Sequence, residues 1–404
     1  TIEVPFQEIS IFGMNLNLQT RAELNLAGSD LSGTIPTEIG LLTNLVSLNL
    51  WNNNLTGAIP TEIGELTKIT HLDLHENNLS ELIPGQLSYL TKLEYLSLFE
   101  NNFFGEIPLR IQNLRELELL DFHGNRLTGS ISTGIGGLKK LTCLKFHQNK
   151  LTGTIPAEFS NLTDLRWLSI HQNKLSGNTP SEIGKLKHLE WMSLSNNMLV
   201  GSIPLEISSL IKIESLSLSS NNLTGPLPTE LGRLTKLTYL SLHQNNFTGR
   251  IPIEFGFMTK LSELSMCENS LEGTIPTQLG ALQYLREVTF HENALSGSIP
   301  TEIGNMNNLE HLDLSNNKLW GTIPVELGRL RKIKQLLLHR NLLFGYLPPS
   351  LAELTNLYTI WLSENDIRGE IPTVMCLKVT PRIDCDKVHC DCCVNSLGMM
   401  CTPT

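Results

Sequence analysis

From about residue 21 onward, aliphatic residues return at fixed phases of a 24-residue period. The frame L-x-L-x-x-N-x-L appears as Leu48, Leu50, Asn53 and Leu55, and again as Leu312, Leu314, Asn317 and Leu319. It is followed by G-x-I-P-x-x-I-G-x-L, as in Gly297, Ile299, Pro300, Ile303 and Gly304. Asn53, Asn77, Asn101, Asn125, Asn149, Asn173, Asn197, Asn221, Asn245, Asn269, Asn293, Asn317, Asn341 and Asn365 stand 24 apart, and Ser29 opens the series. Glycine fills the G-x-I-P phase in fourteen of fifteen units (Glu81 departs), and proline in fourteen (Ser132 departs). A fixed period without insertion is the signature of a solenoid, in which stability lies in the stacking of coils.

Each part of the unit predicts a local structure. In L-x-L both leucines point to one side and the residue between them to the other, as in a short strand. Fifteen such strands in parallel, about 4.8 Å apart, make a sheet roughly 70 Å long. The asparagine marks the turn inward, where its amide can satisfy backbone groups of its own coil and of a neighbour. Its loss from a central coil is expected to cost on the order of 1–3 kcal/mol. Glycine permits a positive φ, and proline stiffens the return segment. The Ile and Leu of I-G-x-L complete the core.

With its G-x-I-P segment, the repeat resembles the plant-type leucine-rich repeats of receptor-kinase ectodomains and secreted inhibitors, over about residues 21–373. The resemblance implies an α/β repeat solenoid: a right-handed superhelix with a parallel sheet on its concave face and 3₁₀ segments and short strands on its convex side. The paired-cysteine cap and the long island of that family are absent, and the first absence suggests truncation at the N-terminus. Residues 1–20 are expected to form a degenerate or truncated coil, because Ile2, Ile11 and Leu18 fall in the phases of Leu26, Ile35 and Leu42.

Residues 374–404 differ in composition. Cys376, Cys385, Cys390, Cys392, Cys393 and Cys401 are six of the chain's eight cysteines. An even number in a short terminal segment reads as a disulfide-stapled cap over the last coil. A zinc knuckle of His389 with Cys385, Cys390 and Cys393 is the rival, although the spacing fits no paired C-x-x-C pattern. This ending resembles those of secreted repeat proteins of microalgae such as diatoms. Cys143 and Cys267 lie five coils apart and are too distant to pair with each other.

With 40 acidic and 30 basic residues the chain carries a net charge of −10, which argues against a nucleic-acid surface. No apolar run approaches the roughly 18–20 residues of a membrane span. The chain begins at Thr1 without a leader, so a signal peptide has been removed or the sequence is a fragment. Sequons at Asn54, Asn78, Asn161, Asn222 and Asn246 are compatible with secretion, although copying of N-L-T-G produces most of them.

Candidate chemistry lies in the phases that point out from the strands. The phase of Trp51 holds His75, His123, His147, His171, His243, His291 and His339, seven of the eleven histidines. A pH sensor and a metal site are the sharp readings; a default polar residue at a solvated position, multiplied by duplication, is the plain one. Metal is not expected there, since Asp121 is the one nearby carboxylate in the outward phases of those coils. The phase of Ser47 carries Tyr95, Trp167, Trp191 and Tyr239. Exposed rings on a rigid sheet anchor interfaces, so Tyr95, His147, Arg166, Trp167, His171, Gln172, Trp191, Tyr239 and His243 form the candidate ligand surface. Ser169 and His171 can touch, but no orienting acid or sequestered pocket follows, and no enzyme or cofactor is expected. A glutamate stripe that includes Glu62 reads as a solvated face, with lysines such as Lys68 six positions on.

The expected function is extracellular recognition of a protein, peptide or glycan, by a secreted protein or a receptor ectodomain. The module acts as a monomer or in a ligand-induced complex. The alternatives are a secreted inhibitor of a foreign hydrolase, like the plant polygalacturonase inhibitors, and a structural ice- or wall-binding solenoid.

Overall fold

The computed structural model describes residues 8–18, 20–371, 381–389, 392–394 and 397–400. They fall into two compact units divided after Leu199.

In the first unit the strands Glu23–Asn25, Ser47–Asn49, His71–Asp73, Tyr95–Ser97, Leu119–Asp121, Cys143–Lys145, Trp167–Ser169 and Trp191–Ser193 pair in parallel, each residue opposite its repeat equivalent. The second unit repeats the plan from Ser215–Ser217 to Thr359–Trp361. After each of the first fourteen return segments comes a five-residue 3₁₀ turn such as Thr61–Glu65, entered from Pro60 in extended backbone and closed by the Leu66 N–H on the Ile63 carbonyl. Where Ser132 replaces the proline, its hydroxyl accepts from the Gly134 N–H at 3.2 Å and caps the turn instead. Leu48, Leu50, Leu55, Ile63 and Leu66 are all fully buried, so both halves of the repeat feed one stacked core.

The asparagine ladder ties neighbouring coils together. Asn149 Oδ1 accepts from Leu127 N–H at 2.9 Å, while Nδ2 donates to the carbonyls of Phe122, Phe146 and His147 at 2.9, 3.1 and 3.2 Å. Phe122 and Leu127 belong to the preceding coil, so each amide clamps its own turn onto the one before it. Residues before these asparagines hold positive φ, Glu76 at 51° and Gln172 at 52°, an uncommon conformation for side chains of that size. Glycine of the I-G pair is set by close approach: a Cβ on Gly136 would lie 2.5 Å from the Glu158 carbonyl oxygen. One coil departs in a compensated way. Gln112 occupies that glycine phase, and opposite it the next coil has Gly134 where other coils carry the stripe glutamate; a Cβ on Gly134 would meet Gln112 Oε1 at 1.6 Å.

The stripe itself is not neutralised as expected. Among the described residues no ion pair joins it to the lysines six positions on: Thr61 Oγ donates to Glu62, and Lys68 Nζ donates to Asn44 Oδ1 at 2.6 Å. Six positions along this path carry a lysine past the end of the 3₁₀ turn, toward the preceding coil.

Both ends differ from a plain coil. Instead of a degenerate parallel coil, Glu8–Ile11 and Met14–Asn17 form an antiparallel hairpin. Ile11 is buried as its phase implies, but its buried companion is Leu16 rather than Leu18. Among the described residues no parallel coil precedes Ser29, which stands at the head of the ladder. At the other end, Arg382 N–H donates to Ile360 O and Arg382 O accepts from Leu362 N–H, extending the last strand by one bridge. Asp384 accepts from the Glu364 and Asn365 N–H groups at 2.8 and 3.1 Å, and Val388–His389 pairs with Gly369–Glu370. Ile383, Val388, Cys393 and Val394 are buried in this cap. None of Cys385, Cys392 and Cys393 is a free thiol, whereas Cys143 and Cys267 are. Cys376, Cys390, Cys401 and the side chain of His389 lie outside the described residues.

Candidate functional site

In the first unit the histidine phase is neither isolated nor fully solvated. Trp51, His75, Phe99, His123, His147 and His171 stack ring on ring over consecutive coils, with centroids 5.1, 4.0, 4.4, 4.2 and 4.4 Å apart. In-register parallel strands impose the spacing, because equivalent residues repeat at the strand separation of about 4.8 Å. Only 13–14% of the His75 and His123 side chains is exposed. The reading of a default solvated position is therefore corrected: flat side chains at this phase cover one another. They also help roof the middle outward phase, where Ser97, Asp121, Ser169 and Ser193 are buried.

Carboxylates and hydroxyls order the stack from beneath. Nδ1 of His75 lies 2.5 Å from Asp73, and Nδ1 of His123 lies 2.6 Å from Asp121. Burial pushes the Asp121 carboxyl up, but His123 and Lys145, whose Nζ is 3.3 Å away, outweigh it and hold it below its ordinary value. His147 has only the Ser169 hydroxyl, at 3.1 Å. Burial, then the neighbouring His123 and His171, drives His147 down to about 3, and burial lowers His171 as well. The Ser169–His171 contact expected from sequence is thus a Ser169–His147 contact, made across coils. At His147 and His171 the stack offers uncharged ring surface at neutral pH.

Beside it, Trp167 and Trp191 stack face to face, centroids 4.5 Å apart and planes within 2°, with 37% of each residue exposed. Lys145 Nζ sits 5.9 Å from the Trp167 ring, and the Arg166–Glu190 ion pair at 3.0 Å flanks the tryptophans. Gln172 is exposed at the end of the imidazole stack. Tyr95 stands farther along the same phase, half-buried and 6.0 Å from the His71 ring; burial and then Asp73 raise its phenol. Trp167, Trp191, Arg166, His147, His171 and Gln172 thus form one neighbourhood, and Tyr95 stands apart from it.

Tyr239 and His243 belong to the second unit, where the phase holds fewer rings. His243 Nδ1 meets the hydroxyls of Ser241 and Ser265 at 2.9 and 3.2 Å, and burial lowers its pKa, as it does that of His339. Asp313, 3.1 Å from Nδ1, and then Cys267 raise His291 to about 10. Sequence reasoning treated Cys267 only as an unpaired thiol, but it occupies the histidine phase between His243 and His291. Ligand atoms of Cys267, Glu268 and His291 lie within 4.8 Å of one another. The available signal was a cysteine standing in a histidine column. Cys143, by contrast, is pushed up to about 11 by burial, so it is not a reactive thiolate. The sequon asparagines Asn54, Asn78, Asn161, Asn222 and Asn246 are all exposed.

Parallel three-residue strands and 3₁₀ returns, repeated in register, define a solenoid of stacked repeats. The chain belongs to the leucine-rich repeat family: the leucine-rich repeat region model matches residues 172–298, and two leucine rich repeat models match residues 43–103 and 115–175, and 308–330. Its sequence is 36% identical to a chain of the PEPR1–AtPEP1 structure, over 88% of this chain and 50% of that one, with a TM-score of 0.85. It is 35% identical to the plant peptide hormone receptor RGFR1, solved with RGF2, over 93% and 64% of the two chains, TM-score 0.84. An LRR protein of Leptospira interrogans is 30% identical over 91% and 96%, TM-score 0.67. The chain therefore spans between half and two-thirds of those two plant chains. No curated protein matches its sequence. These comparisons give no support to the diatom-like ending. No helix among the described residues is long and apolar enough to cross a membrane.

Proposed function

We propose that the chain is an extracellular, non-enzymatic recognition module that binds a peptide on the outward sheet face of its first unit. The observation that carries this reading is the Trp167–Trp191 pair: two parallel indoles, over a third exposed, on strands that cannot shift independently. Rigid aromatic surface loses little conformational entropy on binding, which is why such residues dominate interface energetics. The likeness to the plant peptide hormone receptor RGFR1, solved with RGF2, supports a peptide as the ligand class. Trp167 and Trp191 would take apolar side chains, Arg166 and Gln172 would supply polar contacts, and His147 and His171 would offer neutral ring faces. Tyr95 extends the surface toward the first coils, and Tyr239 and His243 give the second unit a smaller counterpart.

The test uses a peptide selected from a display library against the whole chain, with affinity read by calorimetry. Trp167→Ala combined with Trp191→Ala should weaken it at least about a hundredfold, as expected for hot-spot aromatics. Unchanged affinity for such peptides across independent selections sinks the assignment.

Secretion fits the same reading. Asn54, Asn78, Asn161, Asn222 and Asn246 are proposed as glycan acceptors, and Cys376, Cys385, Cys390, Cys392, Cys393 and Cys401 as three disulfides of the cap. Thiol titration of the unfolded, unreduced chain should then find the two free thiols Cys143 and Cys267, against eight after reduction. A count above two refutes the fully bonded cap.

A further inference from the structure

The second unit carries a cluster that recognition by the first unit does not use. Cys267 and His291 occupy one register position on consecutive coils, tied by the Glu268 N–H on the His291 carbonyl at 2.9 Å. Cys267 is 6% exposed, and its Sγ lies 3.8 Å from Ser265 Oγ. Glu268 follows it at φ 53°, a backbone that turns its side chain out of strand alternation. Its carboxylate is held by Gln244 Nε2 at 3.1 Å to each oxygen. Behind His291, Asp313 Oδ2 stands 3.1 Å from Nδ1, and Asp313 Oδ1 is itself fixed by the Ser315 N–H and hydroxyl at 3.0 and 2.6 Å. The Asp313 carboxylate beside Nδ1 is placed to orient the ring, the role a carboxylate plays behind a metal-bound imidazole.

We propose that Cys267, Glu268 and His291 bind zinc(II), with Asp313 as the positioning residue behind His291. Sulfur, imidazole and carboxylate together suit zinc better than calcium or magnesium, which take oxygen alone. Bond lengths of about 2.0–2.3 Å put tetrahedral ligand atoms roughly 3.5 Å apart. The present separations, within 4.8 Å, close to that by side-chain rotation, since in-register strands already fix the Cα positions. Binding displaces two protons to solvent, one from the thiol and one from the ligating imidazole nitrogen, and leaves the thiolate, carboxylate and neutral imidazole on the metal. Three protein ligands leave a fourth position, which a donor atom of a partner can fill, so the second unit gains a metal-dependent contact on its sheet face. Ser195, Ser219, Ser315 and Ser363 occupy the phase of Cys267 in other coils, so Cys267→Ser is compatible with the fold.

The experiment treats the whole chain with chelator and titrates it with cobalt(II), then displaces the cobalt with zinc. One equivalent should give the near-ultraviolet thiolate-to-cobalt band and the visible bands of a tetrahedral site, all lost on adding zinc. Cys267→Ser should abolish the thiolate band with an unchanged circular dichroism spectrum. Asp313→Asn should weaken zinc about 10- to 100-fold, whereas Cys143→Ser should change nothing. No band in the native chain overturns the proposal, as does a band that survives Cys267→Ser, which would place the metal on the terminal cysteines.

Discussion

Replacing Asn149 with alanine removes one rung of the ladder from inside the first unit. Three carbonyls and one N–H lose the amide, and of these the Leu127 N–H matters most, because it is buried and its acceptor at 2.9 Å is Asn149 Oδ1. A buried donor left without a partner costs about 1–3 kcal/mol. The Phe122 carbonyl loses its 2.9 Å donor from the next coil, a smaller penalty because an oxygen has a second lone pair. The Asn149 N–H keeps the Gln172 carbonyl at 3.2 Å, so the backbone path survives. Together these put the loss at about 2–3 kcal/mol. At an m-value of about 2–3 kcal/mol per M, the urea midpoint of the first unit should fall by roughly 1 M. Tryptophan fluorescence, dominated in this region by Trp167 and Trp191, reports that transition. Asn178→Ala, at an exposed asparagine of the next coil, is the control and should stay within about 0.5 kcal/mol. Coincident midpoints for the two variants would falsify the clamp.

The Gln112–Gly134 pair predicts a double-mutant cycle: Gly134→Glu alone should destabilise by about 1–3 kcal/mol through overpacking, and Gln112→Gly in the same chain should restore most of it; additive effects in urea unfolding refute the compensation. His147 predicts a pH slope. With a folded value near 3 against an ordinary 6.5, the folded chain binds fewer protons than the unfolded chain between those values. Its stabilising contribution is therefore complete above about pH 6.5 and is lost as the pH falls toward 3. His123, His171, Asp121 and Lys145 face it and remain in His147→Phe, which keeps a ring in the stack. That variant should flatten the urea midpoint across the window, and an unchanged slope would show that His147 does not titrate as described.

The repeat frame was legible because every coil rewrites it: Leu48, Asn53, Pro60 and Ile63 announce strand, inward turn, return and core. The exceptions to the stack were not legible. Ile11 and Leu18 share phases with core residues, yet residues 8–17 fold back as an antiparallel hairpin; phase records which side faces in, not the direction of the chain. The histidine column was visible as the phase of Trp51, but counting histidines hid Phe99, which completes the same stack, and Cys267, which stands in the column between His243 and His291. Nor did one phase alone single out Gly134, whose meaning comes from Gln112 standing against it. Composition at one phase can be read along the chain, whereas what a side chain meets depends on the residue about 22–24 positions away.

The C-terminal cap engages its neighbour almost wholly through backbone. Arg382 bridges Ile360 and Leu362 by main-chain groups, and Asp384 presents its oxygens to N–H groups that inner coils give to the carbonyls of the following turn. Lys387 Nζ reaches the Asn365 carbonyl at 2.6 Å, and the guanidinium of Arg382, over the Trp361 ring, is the main contact that reads a side chain. An end-piece whose described contacts are made mainly with the generic outline of a turn is a portable stopper. Whole 24-residue modules can be inserted or deleted upstream of it without the terminus having to be redesigned, which leaves the length of such a protein free to drift while its closure stays the same.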